Sequence, residues 1–285
     1  MKIFITGADG ALGTEMQNIL KSEKVNFLAT DINQLDITYY KKTNETITNY
    51  RPDVILHFAS IADVDECERN RDLAYRVNVL GTMGLANIAR KLGAKMLYVS
   101  TNFVFDGNTE DSYQEQDTPH PISEYGKTKY LGEICVKDLC DKYYIIRTAW
   151  LFGSRSKTFI SRFLATKEKP KAIDVICDQI GSFTFIPDLA NSIFQIIKSD
   201  NFGIYHLTNS GMGTWLDFAL RAKELMRFNT EIRAVKTEEL DIIAPRPRFA
   251  ALASRTFEFY FDRKMRSWDV ALAAYVQEIQ SIEKH

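Results

Sequence analysis

The 285-residue chain is 45% hydrophobic and 26% charged, with a net charge of −1. That argues against a basic nucleic-acid-binding face or a disordered acidic tail, and it supplies enough apolar sequence for one large domain or a main domain with a smaller lobe. No apolar run reaches the roughly 18 residues of a membrane span. The N-terminal run is too short for a signal peptide. The four cysteines, Cys67, Cys135, Cys140 and Cys177, form no CxxC or zinc spacing, so reduced thiols in a cytoplasmic protein are expected. His57 and His206 read as core residues, and no protein-built metal site is expected.

The first half alternates apolar strand-like runs with helical patterns, which predicts βαβ units and a doubly wound parallel α/β sheet of Rossmann type. Strands are expected at 2–6, 25–30, 54–58, 95–100 and 143–148. Helices are expected at 11–23, 38–49, 73–92 and 123–140. The strands are continuously apolar, as when helices cover both sheet faces. After about Gly153 the texture changes. Helices at 158–167, 187–198, 214–227 and 268–282 alternate with short strands at 174–177, 204–207 and 231–234. We expect residues 1–153 to bind a dinucleotide and 154–285 to form mainly a smaller substrate lobe, with some segments returning to the main core.

Gly7-Ala8-Asp9-Gly10-Ala11-Leu12-Gly13 follows the first strand and opens a helix. Gly7 permits the tight turn, Gly10 lets the backbone approach a pyrophosphate, and Gly13 allows close helix–strand contact. The phosphates would meet the helix N-terminus, where unpaired N–H groups and the dipole favour anions. Asp31 ends the second strand, where a carboxylate accepts from ribose hydroxyls and repels a 2′-phosphate. NAD(P)H is expected, with NADH slightly favoured. Leu35-Asp36-Ile37 would flank the adenine, and Phe58-Ala59-Ser60 leaves room at the carboxyl edge of strand three.

Tyr125-Gly-Lys-Thr-Lys129 opens a helix with tyrosine and lysine four apart on one face. A phenol ordinarily titrates near 10, and a nearby ammonium is expected to lower that value, making Tyr125 a tuned general acid. Thr101, just past strand four, is placed to hydrogen-bond the carbonyl being reduced.

Together these features are the short-chain dehydrogenase/reductase pattern. Nearly end to end, the chain also resembles the dTDP-4-dehydrorhamnose reductase family. The likeness is carried by Arg51-Pro52-Asp53-Val54-Ile55, Ser100 to Phe105, Tyr125 to Lys129, Arg147-Thr148-Ala149-Trp150-Leu151-Phe152-Gly153, Asp178-Gln179-Ile180-Gly181-Ser182, Trp215 with Phe218, Arg246-Pro247 and Ser267-Trp268. The resemblance implies that Thr101, Tyr125 and Lys129 are catalytic. It implies that Gly10, Ala11, Leu12, Asp31, Asp36, Ile37, Phe58, Ala59, Ser60 and Tyr98 line the cofactor, and that Asn102 and Trp150 face the substrate sugar.

The expected substrate is a nucleotide-linked keto-sugar, its diphosphate held by Arg246 or Arg248. Neither a nucleic-acid nor a membrane partner is expected; a homodimer is. Asn102 stands where the family usually has aspartate, Ala62 where it has threonine, and Asp63 where it has a small or basic residue. These changes are expected to alter which sugar fits, and aspartate at 102 with threonine at 62 to improve turnover of the rhamnose precursor. Some family members bind magnesium through glutamates. Glu15 matches one such position but has no partner near Pro187-Asp188, so no metal is expected. Two alternatives stay open: a nucleotide-sugar epimerase, and a nonenzymatic subunit resembling the regulatory β subunit of methionine adenosyltransferase.

Overall fold

The computed structural model describes residues 1–282 apart from 155, 157, 167 and 168. Four βα units and a fifth strand build the core: β1 (Lys2–Thr6), α1 (Ala11–Ser22), β2 (Asn26–Thr30), α2 (Tyr40–Tyr50), β3 (Val54–His57), the short helices α3 (Val64–Arg69) and α4 (Arg71–Tyr75), α5 (Thr82–Leu92), β4 (Lys95–Thr101), α6 (Glu124–Leu139) and β5 (Tyr143–Thr148). Ile3, Phe4, Ile5, Ile55, Leu56, Leu97 and Ile146 are fully buried. Each contributes roughly 1.5–3 kcal/mol by leaving water, which holds the strands between two helical layers.

Beyond β5 follow β6 (Leu151–Phe152), α7 (Phe159–Ala165), β7 (Ala172–Ile176), β8 (Ile180–Gly181), β9 (Thr184–Phe185), α8 (Ile186–Ile196) and β10 (Gly203–His206). Then come β11 (Gly213–Thr214), α9 (Trp215–Met226), β12 (Glu231–Val235), β13 (Phe249–Ala250), α10 (Arg255–Phe261) and α11 (Trp268–Ile282). The main sheet has the order β10-β5-β4-β3-β1-β2, and every pairing in it is parallel. The strand sequence reverses direction between β1 and β3, the switch point where open α/β sheets bind ligands. β10 extends this sheet beside β5, and α8 packs on α1, so the segment around 186–206 belongs with the large sheet. α10 also packs on β10, its Phe257 joining the core of the large sheet, while α7, β7, α9 and α11 gather on a second core with Phe152, Phe183, Phe218, Leu272 and Tyr275.

The helix expected over 73–92 is interrupted. Between α4 and α5 the backbone passes through a π-helical turn, Arg76–Gly81. There the buried Asn78 side chain bonds both the N–H and the carbonyl of Ile61, and also Thr128. Apolar periodicity persists through such a turn, so the sequence pattern does not reveal it. α3 was not expected at all. Asp63 caps it, accepting from the Glu66 N–H at 2.9 Å, and this accounts for an acidic residue there without reference to substrate. The C-terminal end expected for the helix at 158–167 lies outside the described residues. No described helix is long and apolar enough to cross a membrane.

Candidate active site

The turn after β1 has no room for a side chain at its first residue. Gly7 adopts φ +69°, and a Cβ there would lie 2.5 Å from the Ala59 nitrogen. This brings the Gly7–Gly13 loop against Phe58-Ala59-Ser60 at the switch point. Ala11, Leu12 and Gly13 form the first turn of α1, which has neither a side-chain cap nor an acidic residue. Its N–H groups and dipole suit a pyrophosphate. Asp31 closes β2 with both oxygens fixed: one accepts from the Asp9 N–H at 2.9 Å, the other from the Ile32 N–H at 2.8 Å. Asp36 receives both donors of Thr38, and Ile37 is buried. A cradle that a Cβ would fill, an uncapped helix start and a fixed carboxylate together fit a dinucleotide.

The second half of the site joins β4 to α6. Ser123 caps α6 by accepting from the Gly126 N–H at 3.1 Å. A Cβ at Gly126 would lie 2.1 Å from the Phe103 carbonyl, so only glycine lets the helix start come this close to the end of β4. Tyr125 thereby meets the Thr101 hydroxyl, and its ring takes the edge of Phe103 with centroids 5.7 Å apart. Burial lifts the Tyr125 hydroxyl to about 12, against the opposing hydrogen bond from Thr101. The expected lowering by Lys129 is therefore corrected: desolvation dominates and raises the phenol, and the influence that opposes it is the Thr101 hydroxyl. Lys129 is 3% exposed, and burial draws its ammonium down to about 7, with Glu133 opposing.

Tyr98, expected at the cofactor, is fully buried and lies against Lys129. Sequence reasoning missed what lies deeper. Glu133, one turn beyond Lys129, accepts from Arg147 Nε at 2.9 Å and Nη2 at 2.7 Å, and from Ser100 Oγ at 2.5 Å. The two side chains of the pair are 2% and 1% exposed. Arg147 also donates to the Glu115 carbonyl and faces the Phe105 ring. An arginine in the otherwise uncharged strand Tyr143–Thr148, and a glutamate at helical spacing from Lys129, were the available signals.

On the lobe side, Trp150 takes a positive φ of 40°. Its indole stacks on Trp215 with centroids 4.6 Å apart. Arg246 is not free: it pairs with Asp65 at 3.0 Å, donates to the Ala244 carbonyl and lies 5.9 Å from the Phe103 ring centre. Arg248 instead lines a cavity of about 550 Å³ with Gly107, Asn108, Asp178 and Ile180. Asn102 is 1% exposed, with its amide turned to protein partners, while Ala62 is exposed. Asp188, near the position considered for a metal, is bound by Arg266 at 2.7 Å and Asn209 at 2.8 Å.

A Rossmann sheet with a Tyr/Lys helix following β4, closed by a second lobe, defines the extended short-chain dehydrogenase/reductase class. The family model described as RmlD substrate binding domain matches residues 1–281. Spore coat polysaccharide biosynthesis protein SpsK of Bacillus subtilis is 34% identical over 98% of both chains. A crystal structure of a dTDP-4-dehydrorhamnose reductase from Clostridium acetobutylicum superposes with TM-score 0.93 at 37% identity, covering 98% of this chain and all of that one. The Bacillus anthracis dTDP-4-dehydrorhamnose reductase, solved in complex with NADP, gives TM-score 0.94 at 34% identity, covering 97% and 99%. The chain belongs to the dTDP-4-dehydrorhamnose reductase family.

Proposed function

We propose that this chain is an NAD(P)H-dependent reductase of the 4-keto group on a dTDP-linked deoxy sugar, of the dTDP-4-dehydrorhamnose reductase type. The carrying observation is the convergence of Thr101, Tyr125 and Lys129 at the carboxyl edge of the sheet that also holds the Gly7–Ala59 cradle. Gly7, Gly10, Ala11, Leu12 and Gly13 would hold the pyrophosphate, with Asp31, Asp36 and Ile37 around the adenosine and Phe58-Ala59-Ser60 beside the ribose. The bound dinucleotide supplies the hydride.

The protein's own part is acid catalysis and orientation. A phenol raised to about 12 keeps its proton at neutral pH, so Tyr125 reaches the reaction protonated and gives that proton to the alkoxide oxygen. Thr101 presents a hydroxyl to the same oxygen, where negative charge develops. Lys129, fixed behind Tyr125, supplies positive charge that holds the tyrosinate left behind. Trp150 faces the sugar, and Arg248, at the cavity, takes the diphosphate in preference to the paired Arg246. The fixed carboxylate of Asp31 supports a slight preference for NADH, whereas the Bacillus anthracis relative was solved with NADP.

The test is NADH and NADPH oxidation with a panel of nucleotide-linked 4-keto-6-deoxy sugars. Turnover of dTDP-4-dehydrorhamnose is expected. A redox-neutral sugar interconversion with retained dinucleotide would favour the epimerase, and inactivity toward the whole panel would remove the reading.

A further inference from the structure

Asn102 follows Thr101 at the end of β4, and its side chain spans the two halves of the molecule. Its Nδ2 donates to the Ala250 carbonyl in β13 at 3.0 Å. Its Oδ1 accepts from Thr101 Oγ1 at 3.3 Å. The orientation is dictated chemically, because a carbonyl only accepts and must face the amide nitrogen. β13 pairs with β8, and the β8 residue Gly181 lies against Trp150. A single buried amide thus connects the strand carrying Thr101 to the sheet packed against the Trp150 indole.

We propose that Asn102 is a positioning residue, not a sugar contact: it ties the Thr101 hydroxyl to the C-terminal lobe, so that lobe placement sets where that hydroxyl points. The inference rests on the reading of Thr101, Tyr125 and Lys129 as the reaction centre. Thr101 Oγ1 already accepts from the Phe103 N–H at 3.2 Å, and its one proton faces both Asn102 Oδ1 and the Tyr125 hydroxyl oxygen. A neutral amide oxygen holds that proton weakly enough to release it to a substrate oxygen. A carboxylate at 102 would hold it strongly and would set a second oxygen against the Ala250 carbonyl, a buried charge facing an acceptor. Such a carboxyl titrates high. Once protonated it donates to Ala250 and accepts from Thr101, restoring the pattern made by asparagine. The expectation that aspartate at 102 improves turnover is therefore reversed at neutral pH.

The experiment compares wild type, Asn102→Asp and Asn102→Ala. It measures kcat and KM for dTDP-4-dehydrorhamnose with NADPH between pH 5.5 and 8, alongside circular dichroism and thermal unfolding. At pH 8, kcat of Asn102→Asp is expected to fall roughly tenfold or more, with KM little changed, and to recover toward wild type at pH 5.5. Asn102→Ala, which makes neither bond, stays low at both pH values. The melting-point deficit of Asn102→Asp shrinks at pH 5.5, and if that variant is unfolded at pH 8 it refolds there. Four results overturn the proposal: Asn102→Asp equal to wild type at pH 8, a rise in KM with kcat unchanged, a kcat loss without acid recovery, or a variant unfolded at both pH values. An inactive wild type removes the functional reading and with it the role of Thr101. The melting comparison then still decides whether Asn102 links the lobes.

Discussion

The Lys129 ammonium lies 4.2 Å from the centre of the Tyr98 ring, and the Tyr98 hydroxyl donates to the Lys129 carbonyl at 3.2 Å. One buried aromatic thus holds both ends of the lysine. The ring face attracts the ammonium by about 2 kcal/mol when both are desolvated, offsetting part of the burial cost that draws Lys129 down. The hydroxyl fixes the turn of α6 from which the side chain springs. Tyr125, four residues earlier, inherits that placement.

Tyr125→Phe keeps the ring against Phe103 and removes the proton donor. Turnover should fall by roughly 100-fold or more, the scale of a general acid's contribution, with dinucleotide affinity retained. Steady-state rates and fluorescence titration with NADPH measure the two separately. Near-normal turnover would exclude Tyr125 as the acid.

Asp31 holds the Asp9 N–H in the glycine-rich turn, so its carboxylate is fixed and would meet a 2′-phosphate with like charge. Asp31→Ala should move the kcat/KM ratio toward NADPH. A wild type that strongly prefers NADPH, with the ratio unmoved by the substitution, would show that Asp31 does not read the ribose.

Arg147→Met takes away the guanidinium partner of Glu133 and, among the described residues, leaves Ser100 as its side-chain donor. Removing one partner of a buried pair costs about 3–5 kcal/mol, on the order of a 10 °C drop in melting temperature. Glu133→Leu combined with Arg147→Met should recover much of the loss, since neither charge is then stranded. A thermal scan of the single and double variants measures both effects, and equal melting points throughout would deny the pair its structural weight.

Acid stability should follow the two buried histidines. Burial lowers both His57 and His206 to about 3 from 6.5, so the unfolded chain binds more protons between those values. Their contribution is complete above about pH 6.5 and is lost as pH falls toward 3. The urea midpoint should decline across that window, and less steeply in His57→Gln. A midpoint flat from pH 7 to 4 would contradict the assignment.

Local pattern reached some of this and not the rest, for physical reasons. The strands β1 to β5 and the helices α1, α2 and α6 are legible because apolar period and turn chemistry are local properties. The Gly7–Gly13 turn and the Tyr125/Lys129 spacing lie within single segments, and the fold brings both to one sheet edge. The bond from Asn102 to Ala250 is not legible in the sequence, because its ends lie 148 residues apart. The same distance problem hid Asp65, whose carboxylate takes Arg246 from 181 residues downstream. The raised Tyr125 pKa depends on how much solvent reaches the ring, which no spacing records.

β10 completes the parallel sheet, yet its residues come after β6 to β9, α7 and α8 in the chain. During synthesis, the edge of β5 therefore stays unpaired until those elements have emerged, and His206 reaches Arg147 only then. Long-range pairing of this kind slows folding and exposes strand edges in the interim. A fragment ending at residue 153 would carry the glycine-rich turn and the Tyr/Lys helix but leave that edge bare, a template for association with other chains. The N-terminal half is thus not a detachable module, and grafting a different C-terminal lobe onto it would have to bring β10 along.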